Sequence, residues 1–122
     1  MQYSGKMVLI VDDSYLIIER VKDMLSEIVS TEHMLHAHTY IDGVEMLAKK
    51  TPDVLILDIN LPDTNGIELL RLVKSKYPAI IVIMLTNQGG DYYRQLCLKI
   101  GADHFIDKSK DFDLLPEIFV SL

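Results

Sequence analysis

Acidic residues follow two apolar runs of this 122-residue chain. Asp12 and Asp13 come directly after the run Val-Leu-Ile-Val, and Asp58 comes directly after Val-Leu-Ile-Leu. A carboxylate at the end of a buried segment is costly unless a proton or a cation relieves its charge. The three acids are hard oxygen donors with no cysteine or histidine beside them. If they converge, they favour Mg²⁺ or Mn²⁺ over zinc.

Other polar residues at the ends of apolar runs suit phosphoryl chemistry. Asn60 lies two residues after Asp58, while Thr86 and Lys108 end two later runs. A carboxylate can attack a phosphoryl group, and a hydroxyl, an ammonium group and a divalent ion can stabilise the charge on the oxygens of that group. We therefore expect Asp58 to be exposed at the edge of a sheet as a nucleophile, assisted by Thr86 and Lys108.

Each of these residues also has an ordinary structural explanation. An aspartate after a strand is commonly a turn or helix-capping residue, and Asp13 could cap the first helix. Thr86 could simply end a strand, and Lys108 could be a solvated loop lysine. The segment 61–66, Leu-Pro-Asp-Thr-Asn-Gly, is favourable turn sequence whatever the function. The shared position of these residues at one edge of one predicted sheet is what indicates a site.

The elements that must position these residues alternate along the chain. Five apolar runs predict strands, and apolar residues at helical spacing predict a helix after each strand. We expect the fourth helix to end at Gly101 and the fifth to be capped by Asp111 or Asp113, with Pro116 near its start. The runs begin at Met7, His33, Val54, Ile80 and His104, and the helical positions are Ile17, Val21, Leu25 and Ile28; Val44, Leu47 and Ala48; Ile67, Leu70 and Val73 or Lys74; Tyr93, Leu96 and Ile100; and Phe112, Leu115 and Phe119.

This alternation predicts the fold class. The first, third and fourth runs are apolar on consecutive residues, which is typical of parallel strands covered on both faces. Histidines at 33, 36 and 38 interrupt the second run and favour a solvated edge strand over a metal site. We predict an α/β domain, a flavodoxin-like (βα)5 doubly wound parallel five-stranded sheet with strand order 2-1-3-4-5. Residues 1–6 are expected to be a leader and residues 7–122 one domain.

Composition narrows the classes of function. The net charge of −6 argues against a nucleic-acid-binding surface. No apolar stretch approaches about 18 residues, so no membrane span is expected. Cys97 is the single cysteine and cannot form an internal disulfide, which fits a reducing, cytoplasmic location. We expect Cys97 to be a small core residue and not a redox sensor.

Four motifs, in this order and at these spacings, resemble the receiver domain of two-component response regulators. The resemblance extends from Met7 to the end of the chain and implies a phosphoprotein of signal transduction. The motifs are Val-Asp-Asp-Ser at 11–14, Asp-Val-Leu-Ile-Leu-Asp-Ile-Asn-Leu-Pro-Asp-Thr-Asn-Gly at 53–66, Ile-Ile-Val-Ile-Met-Leu-Thr at 80–86 and Gly-Ala-Asp-His-Phe-Ile-Asp-Lys-Ser at 101–109.

The resemblance implies a role for each matching residue. Asp58 would be the phosphoacceptor, assisted by Lys108, and Mg²⁺ would be the cofactor, with Mn²⁺ as a substitute. The domain would catalyse its own phosphorylation and slow dephosphorylation without being a classical enzyme. The implied metal ligands are Asp12, Asp13 (favoured as the direct ligand), Asp58 and the backbone carbonyl of Asn60, and the implied switch residues are Thr86 and Phe105.

The same resemblance implies the partners and the route of the signal. A sensor histidine kinase or a phosphotransfer protein would phosphorylate the domain. An effector or a second copy would bind the face made by the fourth helix, fifth strand and fifth helix, where Tyr92, Tyr93, Cys97 and Phe119 are candidate or core residues. When the Thr86 hydroxyl turns toward the phosphoryl group, Phe105 would rotate inward.

Two departures from the family pattern affect the site. Asn87 stands where a small residue is common, which predicts narrower access to Asp58. Ser109 follows the lysine where a proline is common, which predicts a different last loop. Neither departure removes a chemical group that the reaction needs.

Two other functions are weighed against the switch. A Mg²⁺-dependent hydrolase of the haloacid dehalogenase type also uses an aspartyl nucleophile, but it places a second aspartate two residues later. Asn60 occupies that position here and transfers protons poorly. A degenerate receiver that only binds partners would have lost an acid, the acceptor or the lysine, and this chain retains them all.

Overall fold

The computed structural model describes residues 3–122. Five strands alternate with five α-helices in this part of the chain, and a short 3-10 helix, Thr31–His33, precedes the second strand. Residues 1 and 2 of the predicted leader lie outside the described residues, and the division into leader and domain stays a prediction. The strands are β1 (Val8–Val11), β2 (Met34–Ala37), β3 (Val54–Leu57), β4 (Ile81–Thr86) and β5 (His104–Asp107), and the helices are α1 (Tyr15–Met24), α2 (Tyr40–Lys49), α3 (Gly66–Lys76), α4 (Asp91–Ile100) and α5 (Leu114–Val120).

The five strands form one parallel sheet in the order β2-β1-β3-β4-β5. The predicted α/β fold and its strand order are therefore confirmed. Val11 pairs with Leu57 at the carboxyl ends of β1 and β3. Asp12 follows Val11 and Asp58 follows Leu57, so these two aspartates lie at neighbouring backbone positions.

Alternate residues of each central strand enter separate hydrophobic layers. Leu9 and Val11 pack into the layer shared with α2, α3 and α4, whereas Val8 and Ile10 pack into the layer shared with α1 and α5. All four of these side chains have no exposed surface. Burial on both faces explains why the sequence of β1 is apolar at every position.

The connections after β1 and β3 are fixed by local polar contacts. Ser14 Oγ accepts a hydrogen bond from Ile17 N at 3.3 Å and caps α1, while Asn65 Oδ1 accepts one from Ile67 N at 2.8 Å and caps α3. A Cβ atom at position 66 would overlap the carbonyl oxygen of Asp58, so only glycine lets α3 begin this close to the end of β3.

Some boundaries differ from the sequence predictions. Helix α1 ends at Met24, so Ile28 lies in the turn that follows and not on the helix. Phe112 precedes α5, and Asp113 holds the N-cap position without a side-chain hydrogen bond. Pro116 is the third residue of α5, where its missing N–H costs little, as predicted.

The histidine-rich second run forms an edge strand, as predicted. His33 lies in the 3-10 helix, His36 lies in β2, and His38 follows the strand. The rings of His36 and His38 lie on one face with their centres 5.4 Å apart.

Two predictions concern Cys97 and the membrane. Cys97 is buried in the layer under α4, so it is a core residue as predicted, and burial raises the pKa of its thiol. Within residues 3–122, no helix has both the length and the apolar character of a membrane span. The cytoplasmic location stays a prediction.

Candidate functional site

The carboxylates of Asp12, Asp13 and Asp58 meet beyond the carboxyl ends of β1 and β3. One oxygen atom from each lies within 4.8 Å of the others. The pairing of β1 with β3 causes this convergence, because Asp12 and Asp58 directly follow paired residues. The predicted meeting of the three acids is therefore confirmed.

Lys108, which directly follows β5, reaches this acidic group from the same carboxyl end of the sheet. Its ammonium nitrogen lies 2.7 Å from Asp12 Oδ2 and 2.9 Å from Asp58 Oδ2. The Lys108 backbone N–H donates to the carbonyl of Thr86 at 3.0 Å, which fixes the chain just after β5. The lysine side chain is 7% exposed, so its charge lies inside the crevice and not in solvent.

The prediction that Asp58 is exposed was wrong, because only 5% of its surface is exposed. Its partners make burial tolerable: Oδ1 accepts a hydrogen bond from Asn60 N at 3.3 Å, and Oδ2 accepts one from Lys108. Its backbone N–H donates to Val11 O at 3.0 Å. Asp13 is exposed, so the acidic crevice meets solvent on the Asp13 side.

The charges of this crevice are not balanced. Burial raises the pKa of Asp12, although the hydrogen bonds from Lys108 and from Ser14 N oppose this rise. Burial alone would lower the pKa of Lys108, but the hydrogen bonds to Asp12 and Asp58 raise it above its ordinary value. The single ammonium group of Lys108 thus lies beside a group of three carboxylates, those of Asp12, Asp13 and Asp58. This surplus of hard anionic oxygens fits a bound divalent cation such as Mg²⁺.

Thr86 ends β4 beside the acidic crevice and is fully buried. Its hydroxyl accepts a hydrogen bond from Gln88 N at 3.1 Å. The side-chain amide of Gln88 lies 3.5 Å from Asn60 Oδ1, so Gln88 connects the loop after β4 to the loop after β3. Sequence reasoning missed Gln88. The signal was its position two residues after a threonine, where a hydroxyl commonly accepts from the backbone.

Asp107 is a buried acid that sequence reasoning also missed. Its Oδ1 accepts hydrogen bonds from Ser109 Oγ at 2.6 Å and from Ser109 N at 2.8 Å, and these bonds lower its pKa. A Cβ atom at position 89 would overlap the Asp107 carboxylate, so Gly89 lets the loop after β4 lie against it. The Asp-Lys-Ser spacing was the available signal, since aspartate commonly accepts from the N–H two residues later.

The two residues that depart from the family pattern have different surroundings. Ser109 contributes to the last loop through its two hydrogen bonds to Asp107, and a loop shape that differs from the family pattern stays a prediction. Asn87 is exposed on the loop after β4. Narrower access to Asp58 because of Asn87 stays a prediction.

Phe105 lies on the other face of β5 from Ile106 and belongs to the layer under α2, α3 and α4. It is 6% exposed. The Arg94 guanidinium group of α4 lies over its ring, 5.0 Å from the ring centre. The rotation that the resemblance implies for Phe105 stays a prediction.

Comparison with known proteins agrees with this arrangement. The family model of the response regulator receiver domain matches residues 8–119. The transcriptional regulatory protein DegU of Brevibacillus brevis is 34% identical over 110 residues, covering 90% of this chain and 47% of DegU. A protein-glutamate methylesterase/protein-glutamine glutaminase of Clostridium acetobutylicum is 40% identical over 113 residues, covering 88% of this chain and 32% of that protein.

A solved structure gives the same result. The BeF3-activated receiver domain of DrrB superimposes with a TM-score of 0.83 at 25% identity, covering 96% of this chain and 98% of that chain. The present chain spans less than half the length of the two curated relatives. On the match of the family model and on these likenesses, the chain belongs to the receiver-domain family of two-component response regulators.

Proposed function

We propose that this domain is a phosphorylation-activated switch in which Asp58 accepts a phosphoryl group from a sensor histidine kinase or a phosphotransfer protein. The observation that carries the proposal is the position of Asp58 at the end of β3, 2.9 Å from Lys108 and grouped with Asp12 and Asp13. Membership of the receiver family supports the same chemistry.

The reaction is a transfer between two nucleophiles. An oxygen of Asp58 attacks the phosphorus atom, the bond from phosphorus to the donor's histidine nitrogen breaks, and its electron pair stays on that nitrogen. Lys108 then exchanges its contact with the Asp58 carboxylate for a phosphoryl oxygen. The same crevice later admits water, which hydrolyses the acyl phosphate slowly.

Asp12, Asp13, Asp58 and the backbone carbonyl of Asn60 would hold the cofactor Mg²⁺, for which Mn²⁺ can substitute. When bound, the ion supplies positive charge that offsets the charge of the transferred group. The surplus of carboxylates over ammonium groups supports this assignment. Asp13 is the exposed member and meets solvent, so it is the natural direct ligand.

Thr86 is the proposed link between phosphorylation and the rest of the domain. Its hydroxyl accepts from Gln88 N, and a phosphoryl oxygen on Asp58 would attract the hydroxyl hydrogen. Movement of the hydroxyl would pull on the loop that leads into α4. The signal would thereby reach the partner face without a large backbone motion.

The partner face consists of α4, β5 and α5. A groove of about 390 Å³ runs along it between Leu98 and Leu114, which are 43% and 45% exposed. These apolar side chains support binding of an effector or a second copy. Tyr92 is exposed at the start of α4, whereas Cys97 and Phe119 are buried and belong to the core.

The two alternative functions have less support. Asn60 is exposed and bonded to Gln88, and its amide cannot serve as the general acid that a haloacid dehalogenase needs. A binding-only receiver would not need the complete group of three acids and one lysine.

The test uses acetyl phosphate as a phosphoryl donor in the presence of Mg²⁺, with intact mass as the measurement. Wild type should gain one phosphoryl group. Asp58→Asn should gain none, while Asp53→Asn, which removes an acid from the other end of β3, should behave as wild type. A full adduct in Asp58→Asn would overturn the assignment of Asp58.

A further inference from the structure

The first turn of α2 is capped by two different residues. Thr39 Oγ1 accepts a hydrogen bond from Asp42 N at 3.0 Å, which is an ordinary local cap. The first two backbone donors of the helix bond to a side chain from another loop. Asp63 Oδ1 accepts from Tyr40 N at 2.8 Å, and Asp63 Oδ2 accepts from Ile41 N at 3.1 Å. One carboxylate from elsewhere in the fold therefore satisfies donors that a helix cannot pair within itself.

The contact of Asp63 with α2 joins two separate elements. Asp63 lies 23 residues after Tyr40 in the sequence and belongs to the loop between β3 and α3. The hydrogen bond from Tyr40 N, together with the weaker effects of the bonds from Ile41 N and Thr64 N, lowers the pKa of Asp63. The carboxylate is therefore ionised at neutral pH, and its charge lies at the positive end of the helix dipole.

The loop that Asp63 fixes carries a proposed ligand of Mg²⁺. It starts after Asp58, contains Asn60 and leads into α3. Within residues 3–122, the hydrogen bonds from residues 60–64 to residues distant in sequence come from Asp63 and from Asn60, and the bond of Asn60 with the Gln88 side chain is long at 3.5 Å. Leu61 adds a partly buried apolar contact. Asp63 therefore makes the main polar connection between this loop and the rest of the domain.

We propose that Asp63 is a positioning residue for the metal site, which docks the loop after β3 onto the first turn of α2 and so holds the backbone carbonyl of Asn60 in place for Mg²⁺. Asp63 does not bind the ion and acts through the three residues that separate it from Asn60. The role in metal binding rests on the proposed function. The docking of the loop on α2 does not, because it is measured without metal.

The first measurement is amide hydrogen exchange, followed by NMR in the metal-free domain. Asp63→Ala leaves the N–H groups of Tyr40 and Ile41 without an acceptor, so their exchange should become about fivefold faster, as expected for a lost helix cap. Asp63→Asn keeps one acceptor oxygen and should restore part of the protection. If Asp63→Ala does not fold, Asp63→Asn carries the test.

The matched control weakens the same helix end without touching the loop. Thr39→Ala removes the local cap, so exchange at Asp42 should become faster by a similar factor. The bonds between Asp63 and α2 remain in this variant. A role of Asp63 in helix stability alone would therefore give the two alanine variants the same effect on metal binding.

The second measurement is the dissociation constant of Mn²⁺, titrated with EPR detection of the free ion. Wild type and variants are compared in about 1 M KCl, where a Debye length of about 3 Å screens the lost charge of Asp63. Loss of a residue that orients a metal ligand weakens binding 10- to 100-fold, and the indirect action of Asp63 predicts roughly tenfold for Asp63→Ala. Asp63→Asn should lose less, and Thr39→Ala should bind as wild type does.

Two outcomes overturn the proposal. The first is unchanged exchange at Tyr40 and Ile41 in Asp63→Ala, which would mean that the loop is not docked through this carboxylate. The second is a dissociation constant of Asp63→Ala equal to that of wild type or to that of Thr39→Ala. A wild type that binds no Mn²⁺ would instead contradict the proposed metal site, and the exchange measurement would still decide whether Asp63 docks the loop.

Discussion

Lysine and aspartate side chains form different arrangements at the amino edge of the sheet, where the strands begin, and at its carboxyl edge, where they end. At the amino edge, Lys74 Nζ lies 3.0 Å from Asp103 Oδ2 and also donates to the Ile80 carbonyl at 2.9 Å. Asp103 Oδ2 accepts a further bond from Val82 N at 2.8 Å. One cation meets one carboxylate, and the lysine and aspartate side chains are 17% and 41% exposed.

At the carboxyl edge, one cation meets several carboxylates. Lys108 lies between Asp12 and Asp58, and Asp13 completes the acidic group. The Asp12 side chain is 3% exposed, so water screens little of this charge. Balanced charges near the surface stabilise a fold modestly, whereas the buried surplus of negative charge supports the proposal that this edge binds a cation and receives a phosphoryl group.

The largest expected effect is a loss of phosphorylation rate when Lys108 is replaced, and the comparison is replacement of Lys74 at the amino edge. Lys108→Met removes the cation that we propose to stabilise charge on the phosphoryl oxygens, so the rate of phosphorylation by acetyl phosphate should fall on the order of 10²-fold. Lys74→Met should leave that rate unchanged and lower the free energy of unfolding by about 1 kcal/mol. Intact-mass time courses and urea unfolding measure the two effects. Equal losses of rate in both variants would mean that Lys108 acts through stability alone.

The next effect concerns Mg²⁺. Binding to the folded state at roughly ten times the dissociation constant should add about 1.4 kcal/mol of stability to wild type. Asp13→Ala should lose this gain and should stabilise the metal-free domain, because one of three repelling carboxylates is gone. Asp103→Ala at the amino edge should lower the melting temperature and keep the full response to Mg²⁺. The assignment fails if wild type shows no response at millimolar Mg²⁺.

The strands that bring the acids to the carboxyl edge were predicted well from the sequence. Strands buried on both faces need consecutive apolar residues, so β1 and β3 could be located from the sequence. In a parallel sheet of this order their carboxyl ends are adjacent. The meeting of Asp12, Asp13 and Asp58 followed from topology, before any side-chain position was known.

Side-chain partners were harder to predict. The burial of Asp58 depends on Lys108, which is 50 residues away in sequence, and the position of Asn60 involves Gln88, which is 28 residues away. No local pattern encodes such contacts. The end of α1 was also hard to predict. Ile28 packs against the core from the turn after the helix, so its spacing in the sequence suggests a helix although the residue lies outside it.

A third prediction distinguishes binding of beryllofluoride at the carboxyl edge from transmission of the signal to α4. Thr86→Ala should still bind beryllofluoride, because the acids and Lys108 remain. Amide shifts near Asp58 should persist, while those in α4 should shrink because the hydroxyl that couples to the loop is missing. Thr51→Ala, at the amino edge, should give wild-type shifts. Equal α4 shifts in Thr86→Ala and wild type would exclude the hydroxyl as the link.

Two acids of the carboxyl edge have pKa values shifted in opposite directions. Burial raises the pKa of Asp12, whereas hydrogen bonds from the Ser109 hydroxyl and backbone N–H lower that of Asp107. Asp107 is satisfied by donors in the same way as Asp103 at the amino edge. The carboxyl edge therefore contains Asp107, whose donors favour its charged form in the folded state, beside the acids that we propose to hold Mg²⁺.

The smallest expected effect is a change in the pH dependence of stability, which tests whether the charge of Asp107 stabilises the fold. A lowered pKa of Asp107 in the folded state contributes stability that is present above the unfolded value, about 3.9, and is lost as the pH falls through the folded value. Ser109→Ala returns the pKa toward its ordinary value, so the variant should be less stable than wild type at pH 6 and the difference should narrow by pH 3. Urea unfolding at both values measures it. Ser121→Ala, whose hydroxyl donates to the Ile118 carbonyl and makes no hydrogen bond to an acid within residues 3–122, should show a difference independent of pH. A Ser109→Ala difference that is equally independent of pH would show that the serine acts through packing and not through the charge of Asp107.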